Sequence, residues 1–442
     1  MKRREFIKKG SIAASTIPLA FNIPGKAFGL AANDKINIGV IGCKGMGWAN
    51  TKSMLKSEEV NLLGICDVDS NVIDQRISEY ADFRDNKPKR YGDYRKLLKD
   101  KNIDAVIVGT PDHWHCKMMV DGVRAGKHVY VEKPVANTIE ECNIMMNAAK
   151  ETGKVVQAGQ WQRSGVHYQK AKEIVNSGIL GNIRLVKTWA YMGWMNPIPV
   201  LPDSPVPDGV DYDFWLGMAP KRPFNQNRFH FNFRWFWDYA GGLMTDWGVH
   251  EIDIALWLMN VKSPVSVMAS GGKFAYPDDA SETPDTLQAV FQYDGFNMLW
   301  EHATGIDNGP YDRKEGIAFI GNNATLVVNR GGYEIVLENK LKEGDVKSKL
   351  ESYDAMSRPK NVNYLDVHTK NFVQAVKQND HSALNTPIES GSVAAINAQM
   401  GNIAYRLGRK VYWDEAKGQF KNDSDANDRI KATYQNGWSI SR

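Results

Sequence analysis

The chain has 442 residues, a formal net charge of +4 and four cysteines. A chain of this length forms at least two domains, because single hydrophobic cores stop growing at about 250–300 residues. No lysine or arginine run is dense enough for a nucleic-acid surface, and no apolar run reaches the length of about 20 residues that spans a bilayer. The 13 tryptophans and 17 tyrosines include enough rings for some to bind the apolar faces of sugars.

Residues 1–32 have the pattern of a twin-arginine export signal. Arg3 and Arg4 lie in a basic start that is followed by Phe6, a mildly apolar stretch and small residues. The alternative is a basic amphipathic helix of the mature protein, but the small residues at the end of the segment favour a signal. We therefore predict a periplasmic protein that is exported already folded, with cleavage between Gly29 and Asn33.

The four cysteines indicate neither a disulfide framework nor a metal site. They lie at positions 43, 66, 116 and 142, without Cys-x-x-Cys or metal-ligand spacing. We expect free thiols that are buried or partly buried.

The segment after the signal has the pattern of a dinucleotide-binding unit. A β-branched strand at residues 36–41 runs directly into a turn with three glycines, and an amphipathic stretch follows. This order places free amide groups and a positive helix end at a pyrophosphate. The predicted cofactor contacts of the turn are Gly42, Lys44, Gly45, Met46 and Gly47.

Asp67 indicates which dinucleotide is bound. It ends a second strand at residues 60–66, about 20 residues after the glycines. A carboxylate at this place accepts hydrogen bonds from the ribose hydroxyls and repels a 2′-phosphate, so NAD is favoured over NADP. The turn departs from the usual G-x-G-x-x-G because Lys44 stands at the second glycine. We expect Gly45 to provide the close backbone approach and the Lys44 ammonium to lie over a phosphate.

Further elements extend this unit into a doubly wound parallel sheet. Residues 91–99 have the pattern of a helix, and residues 103–109 and 129–131 have that of buried strands. Ligands of such sheets bind outside the carboxyl ends of the strands. The predicted cofactor contacts after these two strands are Thr110, Pro111, His115, Glu132 and Lys133. A surface pair with Glu132 is the alternative for Lys133, but its place at a strand end favours the site.

From Gln157 the composition shifts towards aromatic residues, which indicates a second domain. We predict an NAD-binding domain at residues 33–157 and a substrate and oligomerisation domain at residues 158–442. Strand patterns occur at residues 183–189, 265–270, 287–293, 297–302, 317–321 and 324–329. A late helix ends at residues 402–409, and we expect the polar tail after Asp414 to lie on the surface.

Asp246 and His250 are four residues apart on an apolar stretch. In a helix both would project from one face, and an aspartate beside an imidazole orients a general base. A structural hydrogen bond is the alternative for this pair. The proximity of a dinucleotide site and of Lys133 favours catalysis.

Several aromatic and basic residues are candidates for a sugar pocket. The segment 228–239 is richer in rings and arginines than a core strand requires. An aromatic rim that supports the active-site helix is the equal alternative. The predicted substrate contacts are His113, Trp114, Arg163, Arg228, His230 and Trp235. His368 is expected to be structural.

The glycine turn, Asp67, residues 110–115, Glu132-Lys133-Pro134 and Asp246-x-x-x-His250 together resemble the Gfo/Idh/MocA oxidoreductases. The resemblance covers nearly all of the mature chain. It implies a Rossmann domain followed by an α+β domain with a large, mostly antiparallel open sheet whose exposed face supports a homo-oligomer. It also implies that Lys133 lies near the nicotinamide and that His250 is the acid/base, and it places Asp246 in the catalytic set.

The predicted function is NAD-dependent oxidation of a secondary hydroxyl of a sugar or glycoside. The periplasm offers no useful pool of free NAD, so we expect the cofactor to stay bound and to be recycled. One alternative is an NAD-dependent glycosidase that oxidises, eliminates and reduces again. The other is a non-catalytic sugar-binding protein that retains NAD.

Overall fold

The computed structural model describes residues 35–82 and 84–440. The predicted export signal lies outside the described residues and stays a prediction. Among the described residues no helix combines the length and the apolar character that a bilayer span requires.

The first sheet consists of six parallel strands in the order of a doubly wound fold. Its strands are β1 (Ile36–Ile41), β2 (Val60–Cys66), β3 (Lys89–Tyr91), β4 (Ala105–Val108), β5 (His128–Val131) and β6 (Val156–Ala158). The intervening helices are α1 (Gly45–Met54), α2 (Ser70–Ala81), α3 (Tyr94–Leu98), α4 (Asp112–Arg124) and α5 (Ile139–Thr152). The order β3-β2-β1-β4-β5-β6 puts the carboxyl ends of β1 and β4 side by side, where ligands of such sheets bind. The predicted fold of this part is confirmed.

The predicted helix at residues 91–99 is wrong at its start, because β3 ends at Tyr91 and α3 begins at Tyr94. The side chain of Asp93 accepts a hydrogen bond from the amide of Arg95 at 2.9 Å. This cap satisfies a first-turn amide and fixes the helix start after the strand.

The helix α1 packs closely on the end of β4, and only glycine fits at the contact. A Cβ atom on Gly47 would lie 1.9 Å from the carbonyl oxygen of Gly42, and one on Gly109 would lie 2.5 Å from the Cα of Gly47. The start of α1 is thereby held against the mouth of the sheet.

The second sheet has ten strands, of which only β7 and β10 pair in parallel. Its strands are β7 (Leu185–Met192), β8 (Ser266–Gly272), β9 (Thr286–Gln292), β10 (Asn297–Thr304), β11 (Glu315–Ile320), β12 (Ala324–Asn329), β13 (Gly332–Leu337), β14 (Met356–Ser357), β15 (Val411–Asp414) and β16 (Gln419–Phe420). The helices of this part are α6 (Val166–Asn176), α7 (Tyr212–Leu216), α8 (Gly242–Asp246), α9 (Gly248–Met259), α10 (Asp345–Glu351), α11 (Tyr364–Gln378), α12 (Ile388–Leu407) and α13 (Ser424–Asp428). The predicted large, mostly antiparallel sheet is confirmed.

The two faces of this sheet differ. The helices α6, α9 and α12 pack on one face, and the inward side chains of the strands are buried there. The opposite face exposes the apolar side chains of Leu185, Met268, Val336 and Tyr412. Trp189, Ala318 and Val327 on this face are buried in a small cluster of their own, whereas exposed apolar side chains such as the other four are typical of a surface between subunits.

Two later segments pack on the first domain. Phe372 and Val376 of α11 share a core with Ile38 of β1. The tail after Asp414 runs along the surface, as predicted, and at its end docks Trp438 against Trp114, with ring centroids 5.0 Å apart, and buries Ile440. Aromatic residues in the otherwise polar tail explain why it packs here. The division at residue 157 stays a prediction, because both domains share these contacts.

All four cysteines are free and buried, as expected. Cys43 and Cys66 lie at the carboxyl ends of β1 and β2, whereas Cys116 and Cys142 lie on α4 and α5. Burial raises the pKa of all four thiols.

Gly47→Ala should destabilise the first domain, since its Cβ would overlap the Gly42 carbonyl oxygen. We expect the free energy of unfolding in urea to fall by about 1–3 kcal/mol, the usual cost of overpacking. Gly92→Ala is the matched control, because a Cβ there meets no atom within 4 Å. An unfolding midpoint of Gly47→Ala equal to that of Gly92→Ala would contradict the close contact.

Candidate active site

A cavity of about 580 Å³ lies at the carboxyl ends of β1, β4 and β5. The predicted residues that line it are Gly42, Lys44, Gly45, Met46, Asp67, Thr110, Pro111, Trp114, His115, Glu132, Lys133 and His230. Gly47 lies behind the wall, where it packs α1 onto the sheet. Strand-end segments that are far apart in the sequence therefore meet in one cavity.

One end of the cavity fits a pyrophosphate. The helix α1 begins at Gly45, with neither a side-chain cap at Lys44 nor an acidic residue in its first turn. A Cβ atom on Gly45 would meet no atom within 4 Å, so the space above the helix start is open. Uncapped amide groups and the positive end of the helix dipole attract an anion there. The residues present thus fit a dinucleotide.

Asp67 lies where the ribose of a dinucleotide is expected. One of its carboxylate oxygens accepts from the Cys43 amide at 2.9 Å and the other from the Asp69 amide at 3.1 Å. Burial raises the pKa of Asp67, and these two hydrogen bonds oppose the rise. Asp67 also borders a second, wider groove of about 1160 Å³.

The segment 209–234 of the second domain covers the cavity. The backbone of Val210 bridges to Asp69, and the His230 Nε2 lies 2.9 Å from the Asp69 Oδ2. Phe231 and Arg234 then reach the cavity wall. His230 therefore fastens this cover to the first domain while it also lines the cavity, and its contact with a sugar stays a prediction.

Lys133 and Asp246 join the two domains inside the site. The Lys133 ammonium donates to the Asp246 Oδ1 at 2.7 Å and to the Asp246 carbonyl at 2.9 Å, and the Arg234 Nε lies 3.2 Å from the same Oδ1. Burial opposes the ionisation of Asp246, but the charges of Lys133 and Arg234 outweigh it and lower its pKa to about 2. Asp246 is therefore a carboxylate that holds two cations.

Among the described residues, Asp246 and His250 do not form the predicted hydrogen-bonded pair, and their place in the catalytic set stays a prediction. The stretch consists of two helices, α8 and α9, with Trp247 between them in a helical conformation. Asp246 turns to Lys133 and Arg234, and within the described part of the chain no hydrogen bond joins it to His250.

His250 lies between aromatic rings at the start of α9. The ring centroids of Trp161 and Trp247 are 6.3 and 6.0 Å from that of the imidazole. Burial, together with the charges of Lys133 and Arg330, lowers its pKa well below the usual value. The Nδ1 atom is buried without a partner, and among the described residues Nε2 has no hydrogen-bond partner either. His250 is thus a neutral imidazole that is free to accept a proton.

The motif analysis did not single out Asp112, Arg234 and Arg330. Burial raises the pKa of Asp112 to about 8, although the charges of Arg234 and Lys133 oppose the rise. Asp112 lines the cavity as a largely protonated acid at neutral pH. The sequence could have indicated Asp112 by its place directly after Pro111 at a strand end. It could have indicated Arg234 by its place in the aromatic segment 228–239.

Three predicted substrate residues have other partners. Arg163 forms two hydrogen bonds with Asp253 on α9, at 2.7 and 2.8 Å. The Asp253 carboxylate is buried, and this cation balances its charge. Arg228 donates to the carbonyl of Pro223 at 2.7 Å, and Trp235 is buried in the core of the second domain. The alternative of an aromatic rim fits this segment.

The histidines and Trp114 of α4 support the cavity. The His113 Nε2 lies 3.2 Å from the carbonyl oxygen of Trp215, and the Trp114 Nε1 donates to that oxygen at 2.9 Å. The ring nitrogens of His115 each lie 2.7 Å from a carbonyl oxygen, one of Pro134 and one of Thr110. His115 thus ties the two strand-end turns together. His368 is buried and hydrogen-bonded, as expected of a structural residue.

Comparisons with known proteins agree with this geometry. The model of the Gfo/Idh/MocA oxidoreductase family, NAD-binding Rossmann fold, matches residues 36–160. The model of that family's C-terminal alpha/beta domain matches residues 164–311 and 342–440.

Among curated relatives, the chain is 32% identical over 152 residues to "Glycosyl hydrolase family 109 protein 1" of Shewanella sp. (strain MR-4). The match covers 34% of this chain and 33% of the relative, so it spans about a third of that protein's length. Among solved structures, levoglucosan dehydrogenase in complex with NADH and levoglucosan has a TM-score of 0.64 at 17% identity and covers 86% of this chain and 99% of its own. Aldose-aldose oxidoreductase from Caulobacter crescentus has a TM-score of 0.58 at 18% identity and covers 86% and 100%. These likenesses show the fold.

The Asp246 carboxylate should make stability depend on pH. Its pKa is depressed from about 3.9 in the unfolded chain to about 2 in the folded protein, so its contribution is complete above about pH 5 and is lost as the pH falls through 2. Urea unfolding of wild type and Asp246→Asn should differ by roughly 2 kcal/mol at pH 6, and the difference should shrink towards pH 2.

The exposed Asp278 provides the control, since Asp278→Asn should change stability by less than about 0.5 kcal/mol at every pH. A difference between wild type and Asp246→Asn that stays constant from pH 6 to pH 3 would contradict the ion pair.

Proposed function

Because the chain belongs to the Gfo/Idh/MocA oxidoreductase family, with an NAD-binding Rossmann domain, we propose that it oxidises a secondary hydroxyl of a sugar or glycoside. The observation that carries this proposal is the Lys133 ammonium in the wall of the dinucleotide cavity, together with a neutral His250 imidazole whose pKa the charge of Lys133 helps to lower. A cation and a base are the two groups that alcohol oxidation requires of the protein.

The proposed reaction divides between the cofactor and the side chains. NAD, when bound, accepts the two electrons and the hydrogen of the carbinol carbon. The His250 Nε2 accepts the hydroxyl proton, while Lys133 donates a hydrogen bond to the oxygen as it gains negative charge. The alcohol thereby becomes a ketone, and one proton remains on His250. Asp246 and Arg234 hold Lys133 in place.

Exposed rings beside the cavity support a carbohydrate substrate. Trp194 is 50% exposed and Phe231 is 53% exposed, and their ring centroids are 6.3 Å apart. Phe231 lines the cavity, and the Arg234 guanidinium lies 4.8 Å from its ring. Exposed aromatic faces next to hydrogen-bonding groups suit the mixed apolar and polar surface of a sugar. The names of the similar structures, a levoglucosan dehydrogenase and an aldose-aldose oxidoreductase, support the same class.

A second candidate is an NAD-dependent glycosidase, which the names of the curated relatives favour. Oxidation of a hydroxyl makes the neighbouring C–H acidic, so a base removes that proton and the glycosidic substituent leaves. Water adds, and reduction by the same cofactor restores the alcohol, so the overall reaction is hydrolysis. A base at His250 and a cation at Lys133 suit both the dehydrogenase and the glycosidase.

Export and assembly complete the proposal. The paired arginines of residues 1–32 support export of a folded, cofactor-loaded protein to the periplasm, where retained NAD has to be recycled within the site. The exposed apolar face of the ten-stranded sheet, with Leu185, Met268, Val336 and Tyr412, supports a homo-oligomer.

The purified protein should carry NAD, and its absorbance near 340 nm should rise when a suitable glycoside is added. Persistent reduction of the bound NAD indicates a dehydrogenase that awaits a hydride acceptor. Release of the aglycone without net reduction of NAD indicates the glycosidase. Bound NAD that no glycoside reduces and no aglycone release from any of them would identify a binding protein and refute both enzyme candidates.

His250→Gln should lower kcat about 10²–10⁴-fold while NAD stays bound, because it removes the base but not the cavity. His381→Gln is the matched control, since His381 lies outside the site and pairs with Glu389. Single-turnover reduction of bound NAD measures the effect. Equal rates for His250→Gln and His381→Gln would remove His250 from the catalytic set.

A further inference from the structure

Arg330 lies beside the proposed base, although it is distant from it in the sequence. It directly follows β12, and its guanidinium lies 4.6 Å from the ring centroid of Trp161 and 4.3 Å from that of Trp247. These are the two rings that flank His250. Arg330 and His250 therefore share the same two aromatic walls.

One hydrogen bond holds the Arg330 side chain, and the N–H groups of its two terminal nitrogens are not used by it. The Nε atom donates to the Oε1 of the buried Gln162 at 3.0 Å, and the Gln162 Nε2 lies 3.4 Å from the carbonyl oxygen of His250. The two terminal nitrogens of Arg330 make no hydrogen bond or ion pair with the described residues. A guanidinium that is fixed by stacking and by one hydrogen bond keeps its remaining N–H groups for a ligand.

The nearest buried carboxyl groups do not neutralise Arg330. Glu251 and Glu315 are both buried, and neither forms an ion pair with Arg330 among the described residues. Burial raises the pKa of both, and the mutual repulsion of the two carboxylates raises that of Glu251 further. The charge of Arg330 opposes this rise for both groups, but Arg330 has no ion-pair partner among the described residues.

The rest of the site adds to this positive charge. Lys133 and Arg234 share one carboxylate, that of Asp246, so these two cations and Arg330 outnumber the single carboxylate that forms an ion pair with any of them. An excess of positive charge in a partly desolvated site favours an anionic ligand.

We propose that Arg330 makes the site selective for a carbohydrate that carries a carboxylate group, such as a uronide, whose hydroxyl is presented to His250. The planar guanidinium fork matches a carboxylate in geometry and charge, and Trp161 and Trp247 border the sugar ring that connects the two groups. This inference rests on the proposed function, because it names the substrate class of that site. It also adds a residue that contacts substrate but takes no part in the proton transfer.

The test compares matched glycosides on the NAD-loaded protein. Methyl hexuronides are paired with the methyl hexosides of the same configuration, in the gluco and galacto series, so that each pair differs only at C6. Wild type should favour one uronide over its hexoside by at least about 10-fold in kcat/KM for reduction of bound NAD. Arg330→Gln should lower the uronide-to-hexoside ratio of kcat/KM at least about 10-fold, because any effect through His250 or the tryptophans acts on both members of a pair and cancels in the ratio.

The exposed Arg184 provides the matched control, because Arg184→Gln removes the same charge outside the site. Arg330→Lys should recover only part of the preference, since a lysine keeps the charge but loses the fork. A rise in salt should weaken uronide binding to wild type more than to Arg330→Gln.

Calorimetric binding of the uronides to the loaded protein separates this inference from the proposed function. Uronide binding that depends on Arg330 without reduction of NAD would support the carboxylate site and refute the oxidation of these sugars. Reduction of hexosides that Arg330→Gln leaves unchanged, with no uronide preference in wild type, would overturn the carboxylate site alone. An equal loss for both members of a pair would also overturn it, because Arg330 would then only support the tryptophans. Preference for a hexoside 6-sulfate over the uronide would overturn the assignment to a carboxylate.

Discussion

The ion pair between Lys133 and Asp246 is the contact on which the site depends. Lys133 follows the last residues of β5 in the first domain, whereas Asp246 ends α8 in the second. Both side chains are largely buried, so either charge alone would carry a large desolvation penalty. The pair is stable only when the two domains are closed on each other. Arg234 strengthens this constraint because it brings the cover of the cavity to the same carboxylate.

Two groups of the site have pKa values that suit opposite tasks. His250 is neutral because burial and nearby cations disfavour its protonated form, so it is a base at neutral pH. Asp112 is a largely protonated acid because burial outweighs the same cations. Separated pKa values of this kind let one site provide both an acceptor and a donor.

The first domain could be predicted in detail because its signals are local. The glycine turn at residues 42–47, the acid at Asp67 and the strand-end position of Lys133 each follow from a few adjacent residues and the geometry of a parallel sheet. The site that the second domain contributes could not be predicted in this way. Asp246 forms its ion pair with Lys133 of the first domain, and the proposed role of Arg330 depends on tryptophans from two other elements. Arg163 shows the same difficulty, since its partner is a buried aspartate on α9 that only tertiary packing provides.

The docking of Trp438 and Ile440 on the first domain has a consequence for how the protein is made. Residues 434–440 leave the ribosome long after β6 is complete, yet they pack on α4 and its neighbours. The phenylalanine and valines that α11 adds to the other side of the sheet also arrive late. Synthesis from the N-terminus therefore cannot finish the cofactor domain first, as it does in chains whose domains fold one after another. The first domain therefore completes its packing only after the second domain has been synthesised.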